Sequence, residues 1–227
     1  MARSDDELVL AAAQAATRRF HVRGEEVIAL DAVDAEFVAG ALTTVAGPSG
    51  SGKSTLLSLL GCLDRPTSGA VQLAGRDIHQ LSRRRRRALR RTAVTMLLPL
   101  PADNLLAGSS GRENIAVGAQ HRDERAALVQ RVVDDLSIGE FVDRLVDTMS
   151  GGEQQRVAIA CVLARGCSLV LADEPTGALD AGSAADVVQA LRAAAATGVA
   201  VVVASHDPML IEASDRVIRL DHGRRVG

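Results

Sequence analysis

The chain has 227 residues and 47% apolar composition, enough for one large domain with a sizeable core, but it has no Trp or Tyr, and Phe20, Phe37 and Phe141 are its only aromatics. That scarcity argues against stacking on single-stranded nucleic acid, and a formal charge of −2 supplies no global field for DNA or RNA, so no nucleic-acid partner is expected. No apolar run approaches the roughly 18 residues of a membrane-spanning helix, and Cys62, Cys161 and Cys167 show no metal-type pairing and read as small buried thiols of a reducing compartment.

In chain order, the apolar patch LVLAAAQAA (8–16) follows Asp5, Asp6 and Glu7 instead of a basic segment, so it lacks a signal peptide's layout and the chain reads as cytoplasmic. ALTTVAG (41–47) is a β-like run entering a glycine loop, and STLLSLLGCL (54–63) follows with apolar residues at helical spacing. RRRRR at 83–87, continued by Arg90 and Arg91, reads as a solvated helix face, with acidic lipid headgroups or an acidic partner loop as the sharper alternative. MSGGEQQRVAIA (149–160) places small residues before a helical stretch. SLVLADEP (168–175) is a buried-strand run ending in two carboxylates, and SAADVVQALRAAAATG (183–198) is a helix with Gly198 at the C-cap position. VAVVVASHD (199–207) is a further buried strand, and VIRLDHGRRVG (217–227) a closing hairpin. Apolar runs alternating with helical patterns predict an α/β fold with a mainly parallel sheet.

The residues Gly47, Pro48, Ser49, Gly50, Ser51, Gly52, Lys53 and Ser54, followed by Thr55, fit the phosphate-loop pattern in full. Glycines let the backbone bend until successive N–H groups face phosphates. Lys53 reaches the β- and γ-phosphates, and Ser54 ligates Mg²⁺. Asp173 and Glu174 end a buried strand. Alone such a pair is often a solvated turn, but downstream of a phosphate loop Asp173 can hold the Mg²⁺ water shell and Glu174 can polarise an attacking water. His206 ends the next strand, where open α/β sheets bind ligands, and is a candidate for the γ-phosphate. Ser150, Gly151 and Gly152 open a helix whose free N–H groups form a second anion site. One set of phosphates needs no second cradle in the same chain, so this site makes sense against the γ-phosphate held by another subunit, in a head-to-tail dimer enclosing two ATP molecules.

At this point the sequence resembles the ATP-binding-cassette (ABC) ATPases over nearly its whole length. The phosphate loop, MSGGEQQR (149–156, including Glu153), ADEPTGALD (172–180) and the SHD histidine occur in that family's order. LGCLDRPTSG (60–69), NLL (104–106), EN (113–114) and DEPTGALD (173–180) are similar to the branch serving lipoprotein-releasing and macrolide-exporting transporters, with a cell-division relative nearby. The resemblance implies a P-loop α/β core with an N-terminal antiparallel β portion, a helical subdomain around 97–160, and one nucleotide-binding domain over 1–227. It implies ATP hydrolysis driving a separate membrane permease through closure of a homodimer, at the inner face of the cell membrane. The same resemblance puts Phe20 where an aromatic stacks on adenine, with a core phenylalanine as the alternative.

Two features depart from the branch. It carries Phe-Gln-x-x-Asn-Leu-Leu where this chain reads LPLPADNLLAG (98–108), and anchoring on Asn104, Leu105 and Leu106 puts Pro101 at the glutamine. Proline brings neither a side-chain amide nor an N–H, which leaves ATP binding intact and admits, as an alternative, a signalling module with slow or uncoupled hydrolysis; Asp103 is a conceivable substitute at the metal. Cys161 and Val162 replace an Arg-Ala pair after the signature, removing a charge.

Overall fold

The computed structural model describes residues 7–22, 24–119 and 124–226; Asp5, Asp6 and Gly227 lie outside the described residues. Strand β1 (Val9–Val22) pairs with β2 (Glu25–Val38) as a long antiparallel ribbon. The ribbon bends where Ala15 and Ala32 take left-handed backbone at φ 44° and 49°, and the register shifts there. Strand β3 (Leu42–Ala46) leads into α1 (Lys53–Leu60), then β4 (Ser68–Leu73), β5 (Arg76–Asp77), α2 (Arg83–Thr92) and β6 (Val94–Leu97). A 3₁₀ turn (Pro101–Asn104), α3 (Gly111–Gly118), α4 (Arg125–Asp135), a second 3₁₀ turn (Val146–Thr148) and α5 (Gly151–Arg165) follow. The chain closes with β7 (Leu169–Asp173), α6 (Ala181–Ala196), β8 (Ala200–Ser205), α7 (Pro208–Ala213), β9 (Arg216–Asp221) and β10 (Arg224–Arg225).

Two sheets result: a four-stranded antiparallel sheet in the order β2-β1-β4-β5 and a six-stranded sheet in the order β10-β9-β3-β8-β7-β6, parallel except for β10. The apolar runs of β7 and β8 are uniform in sequence because both faces are covered. Alternate residues part company: Val170, Ala172, Val201 and Val203 join the core under α5 and α6, whereas Leu169, Leu171, Val202 and Ala204 join the core shared with α1 and the antiparallel sheet. All three parallel strands that matter for chemistry, β3, β7 and β8, therefore end at one edge with their positions fixed by two independent cores.

With few aromatics, close backbone approach does part of the packing. Helix α3 meets α5 at Gly118, where a β-carbon would lie 2.4 Å from the Cys161 carbonyl oxygen. Burial pushes the Cys161 thiol up to about 12, so it acts here as a neutral packing group. Gly118→Ala is expected to destabilise by roughly 1–3 kcal/mol, although alanine is the better helix former by about 1 kcal/mol. Thermal melting checks it, and an unchanged midpoint would mean that α3 and α5 are not in backbone contact.

Candidate functional site: a phosphate cleft at the strand ends

The turn from β3 to α1 is built around close approach. A β-carbon at Gly47 would lie 2.2 Å from the Leu220 oxygen, and one at Gly52 would lie 2.5 Å from the Ala29 oxygen, so neither position admits a side chain. Gly52 also takes φ 103° as the residue before α1. The loop thus wraps tightly around Lys53, whose buried ammonium donates to the carbonyl oxygens of Gly47 (2.8 Å) and Pro48 (3.0 Å). The Ser51 hydroxyl is buried with no hydrogen-bond partner among the described residues. A buried cation within a tight loop that opens helix α1 suits an anion with several oxygens.

A cleft of about 610 Å³ opens over this loop, lined by Pro48, Ser49, Gly50, Gly52, Lys53, Ser54 and Thr55 together with Asp173, Glu174, Gly177 and His206. The sequence-predicted residues of the loop other than Gly47 and Ser51 thus meet those of the β7 and β8 ends, with Ala29 of β2 and Pro99 completing the wall; Gly47 is packed on Leu220 and the Ser51 hydroxyl is buried off the cleft. Glu174 sits in left-handed backbone at φ 47°, a conformation that costs a non-glycine residue on the order of 1–3 kcal/mol. It is held from three sides: its N–H donates to the Ala204 oxygen (2.9 Å), one carboxylate oxygen accepts from the buried Ser205 hydroxyl (2.8 Å), and the other lies 2.9 Å from His206 Nδ1. That second oxygen is also 3.9 Å from Lys53 Nζ. Thr176 Oγ1 in turn donates to Asp207 (2.9 Å). The two strand ends are therefore clasped reciprocally, Glu174 to Ser205 and Thr176 to Asp207. Ser205 and Thr176 escaped the sequence reading; the signal was an acid and a hydroxyl two apart at both ends, E-x-T and S-x-D.

The small residues at 150–152 do not line this cleft. They start α5 with a capping box: Ser150 Oγ accepts from the Glu153 N–H (3.3 Å), and the Glu153 carboxylate accepts from the Ser150 N–H (2.7 Å). Burial pushes the Glu153 carboxyl up, but the Ser150 hydrogen bonds and the Arg144 charge outweigh it and hold the group below its ordinary value. Gly152 is buried against α6, where a β-carbon would lie 2.7 Å from Ser183 Cβ.

Two expectations shift. Phe20 is not on the cleft wall; the Arg18 guanidinium covers its ring at 4.3 Å and is itself tied to Asp64 at 2.7 Å. Nor does Pro101 reach the cleft: Pro99 does, two residues earlier. Asn104 makes the difference, because its side chain bonds the backbone of Leu98, Leu100 and Pro101 and folds 98–104 into a closed turn. Asp103 is exposed on that turn, off the cleft wall.

A parallel sheet covered on both faces, a phosphate loop between strand and helix, and acids clasped at neighbouring strand ends define a nucleotide-binding cassette. A profile of the ABC transporter family matches residues 30–177. The chain is 38% identical, over 92% of its length, to the Macrolide export ATP-binding/permease protein MacB of Marinobacter nauticus, and equally to that of Azoarcus sp.. It spans about a third of the length of these relatives, 33% and 32%. The ATP-binding cassette MJ0796, solved as a dimer in a post-hydrolysis state bound to ADP and Pi, is 30% identical, with a TM-score of 0.78 covering 96% of this chain and 97% of that one. CbiO1 of Clostridium perfringens shares the fold at 24% identity and a TM-score of 0.86, covering 97% of this chain and 88% of that one. The chain belongs to the ABC transporter family and is one of its ATP-binding cassettes.

The position of Pro99 gives a paired test. Pro99→Gln places an amide on the cleft wall and is expected to raise ATP turnover about tenfold, equivalent to roughly 1.4 kcal/mol off the barrier. Pro101→Gln, on the 3₁₀ turn, is expected to leave it within about twofold. Steady-state phosphate release from both variants, with melting midpoints matched because proline removal also alters the unfolded chain, checks it; a gain confined to Pro101→Gln would return the glutamine's place to Pro101.

Proposed function

We propose that the chain hydrolyses ATP in the cleft and uses closure of a homodimer to drive a membrane permease, in an export-type transporter at the inner face of the cell membrane. Residues 1–227 form one nucleotide-binding domain, with the helices of approximately 97–160 as its subdomain. The observation that carries the reading is the convergence of Lys53, Asp173, Glu174 and His206 on the phosphate loop.

The loop N–H groups and Lys53 bind the β- and γ-phosphates and offset their charge. Ser54 and Asp173 both line the cleft and offer oxygen donors suited to Mg²⁺, which keeps several waters and takes few protein ligands. When bound, that ion would supply positive charge that offsets the charge of the phosphates. Glu174 orients the attacking water and accepts its proton at the oxygen facing His206, while Ser205 fixes the other oxygen. His206 is exposed and meets Glu174 through Nδ1, which leaves its Nε2 for a γ-phosphate. Phe20 meets adenine once Arg18 moves off its ring.

The start of α5 completes the site from the other subunit: Ser150, Gly151, Gly152 and Glu153 face the γ-phosphate bound by the partner's loop. The small residues are needed twice, for that approach and for packing on Leu179 and Ser183 within the chain. The macrolide-export relatives and the dimeric cassette support a transporter role and dimerisation.

Glu174→Gln is expected to hold ATP without splitting it, and so to dimerise on adding ATP. Adding Ser150→Arg, which fills the helix end, should leave ATP binding intact but return the species to monomer. Sedimentation velocity with ATP checks this. Dimerisation of the double variant equal to that of Glu174→Gln alone would remove the trans role of residues 150–152, and a Glu174→Gln chain that still releases phosphate would remove the assignment of the base.

A further inference from the structure

Helix α2 carries seven arginines in RRRRRALRRT and no acidic residue. It contributes all seven of these positive charges to a chain whose formal net charge is −2, so the remaining surface is strongly acidic. Arg86 and Arg90 turn inward and donate to the carbonyl oxygens of Asp64 (3.5 Å) and Cys62 (2.7 Å), and Leu89 packs on the core. These contacts fix which face points out.

Arg84, Arg87 and Arg91 recur at i, i+3 and i+7 on that outward face, with Arg83 one turn before Arg87. All four are exposed, and none has an ion-pair or hydrogen-bond partner for its side chain among the described residues. Elsewhere Arg18, Arg19, Arg112, Arg144, Arg156, Arg216 and Arg224 each face a carboxylate. Local helix energetics oppose the stripe. Arg83 and Arg87, and Arg87 and Arg91, repel at i, i+4. Arg83, Arg84 and Arg85 crowd the positive end of the helix dipole, and the Ser82 cap is long, at 3.4 Å. The stripe is thus not explained by folding. Leu63, 53% exposed, stands between Cys62 and Asp64, the two residues that the inward arginines grip, and so puts an apolar side chain at the edge of the cationic patch.

We propose that α2 and Leu63 form a docking face for the anionic lipid headgroups of a membrane. A convex stripe of guanidinium groups fits a plane of phosphates, and arginine pairs with phosphate oxygens in bidentate fashion. Each cation near such a surface adds to binding, and a leucine at its edge gains from the acyl boundary. The same leucine gains nothing from a nucleic-acid backbone. An extended polyanion overrunning the helix would also meet the acidic remainder of the chain, whereas a flat membrane touches one face and is oriented by that asymmetry. None of these residues lines the ATP cleft, so docking leaves nucleotide access open.

Flotation of the purified full chain with vesicles tests this. The chain is expected to float with phosphatidylcholine vesicles containing phosphatidylglycerol, to lose that binding as salt rises, and to stay behind with phosphatidylcholine alone. Arg83/Arg84/Arg87/Arg91→Gln should lower partitioning on the order of 10²-fold or more, melt no lower than the parent because repulsion is relieved, and keep its ATP affinity. The matching four-lysine variant should float, and Leu63→Ser should lose several-fold. Equal flotation on neutral vesicles, undiminished flotation of the glutamine variant, failure of the parent chain to float, or tighter binding to a duplex oligonucleotide at equal phosphate each overturns the proposal.

Discussion

One buried cation organises the nucleotide site. Lys53 is the only lysine of the chain, and its ammonium is held within the loop it serves by the carbonyl oxygens of Gly47 and Pro48. Burying that charge is tolerable only because the loop oxygens and Glu174 surround it. Gly47 and Gly52 are what let the backbone close that far, against Leu220 and Ala29 from two different sheets. The loop is therefore clamped between the parallel and antiparallel layers, and the phosphate site depends on both.

The clasp between β7 and β8 extends the same logic to the reacting groups. Glu174 is held in an unfavourable backbone region by contacts from the neighbouring strand end. Strand pairing of Asp173 with Ala204 puts those groups side by side. In the proposed mechanism, preorganisation of this kind keeps Glu174 aimed without cost at the moment of reaction. The start of α5, in contrast, is closed by its own capping box and by packing on α6, and does not line its own chain's cleft. One chain thus holds a phosphate cradle and, apart from it, a capped helix start, which in the proposed dimer would meet the partner's cradle.

Much of this was legible in the sequence because it is local. The phosphate loop is contiguous, and the strand and helix around it show in uniform apolar runs and helical spacing. The long β1–β2 ribbon left a weaker trace, since bulges at Ala15 and Ala32 interrupt its period of two. What escaped depended on distant partners. Arg18 lies over Phe20 because Asp64, 46 residues away, anchors it. Pro99 replaces Pro101 on the cleft wall because the Asn104 side chain folds a loop whose length alignment alone takes as fixed. Ser205 matters through a hydrogen bond to Glu174, 31 residues earlier.

The single lysine allows the central claim to be read at one atom. With ¹⁵N-labelled lysine, the side-chain spectrum of the whole chain has one Nζ resonance. Adding Mg²⁺ and ATP should move that resonance, ADP should move it less, and adenosine should leave it in place, because only the phosphates displace the Gly47 and Pro48 carbonyls from the ammonium. An unmoved resonance at ATP concentrations where calorimetry shows the nucleotide bound would contradict the account and place the phosphates elsewhere.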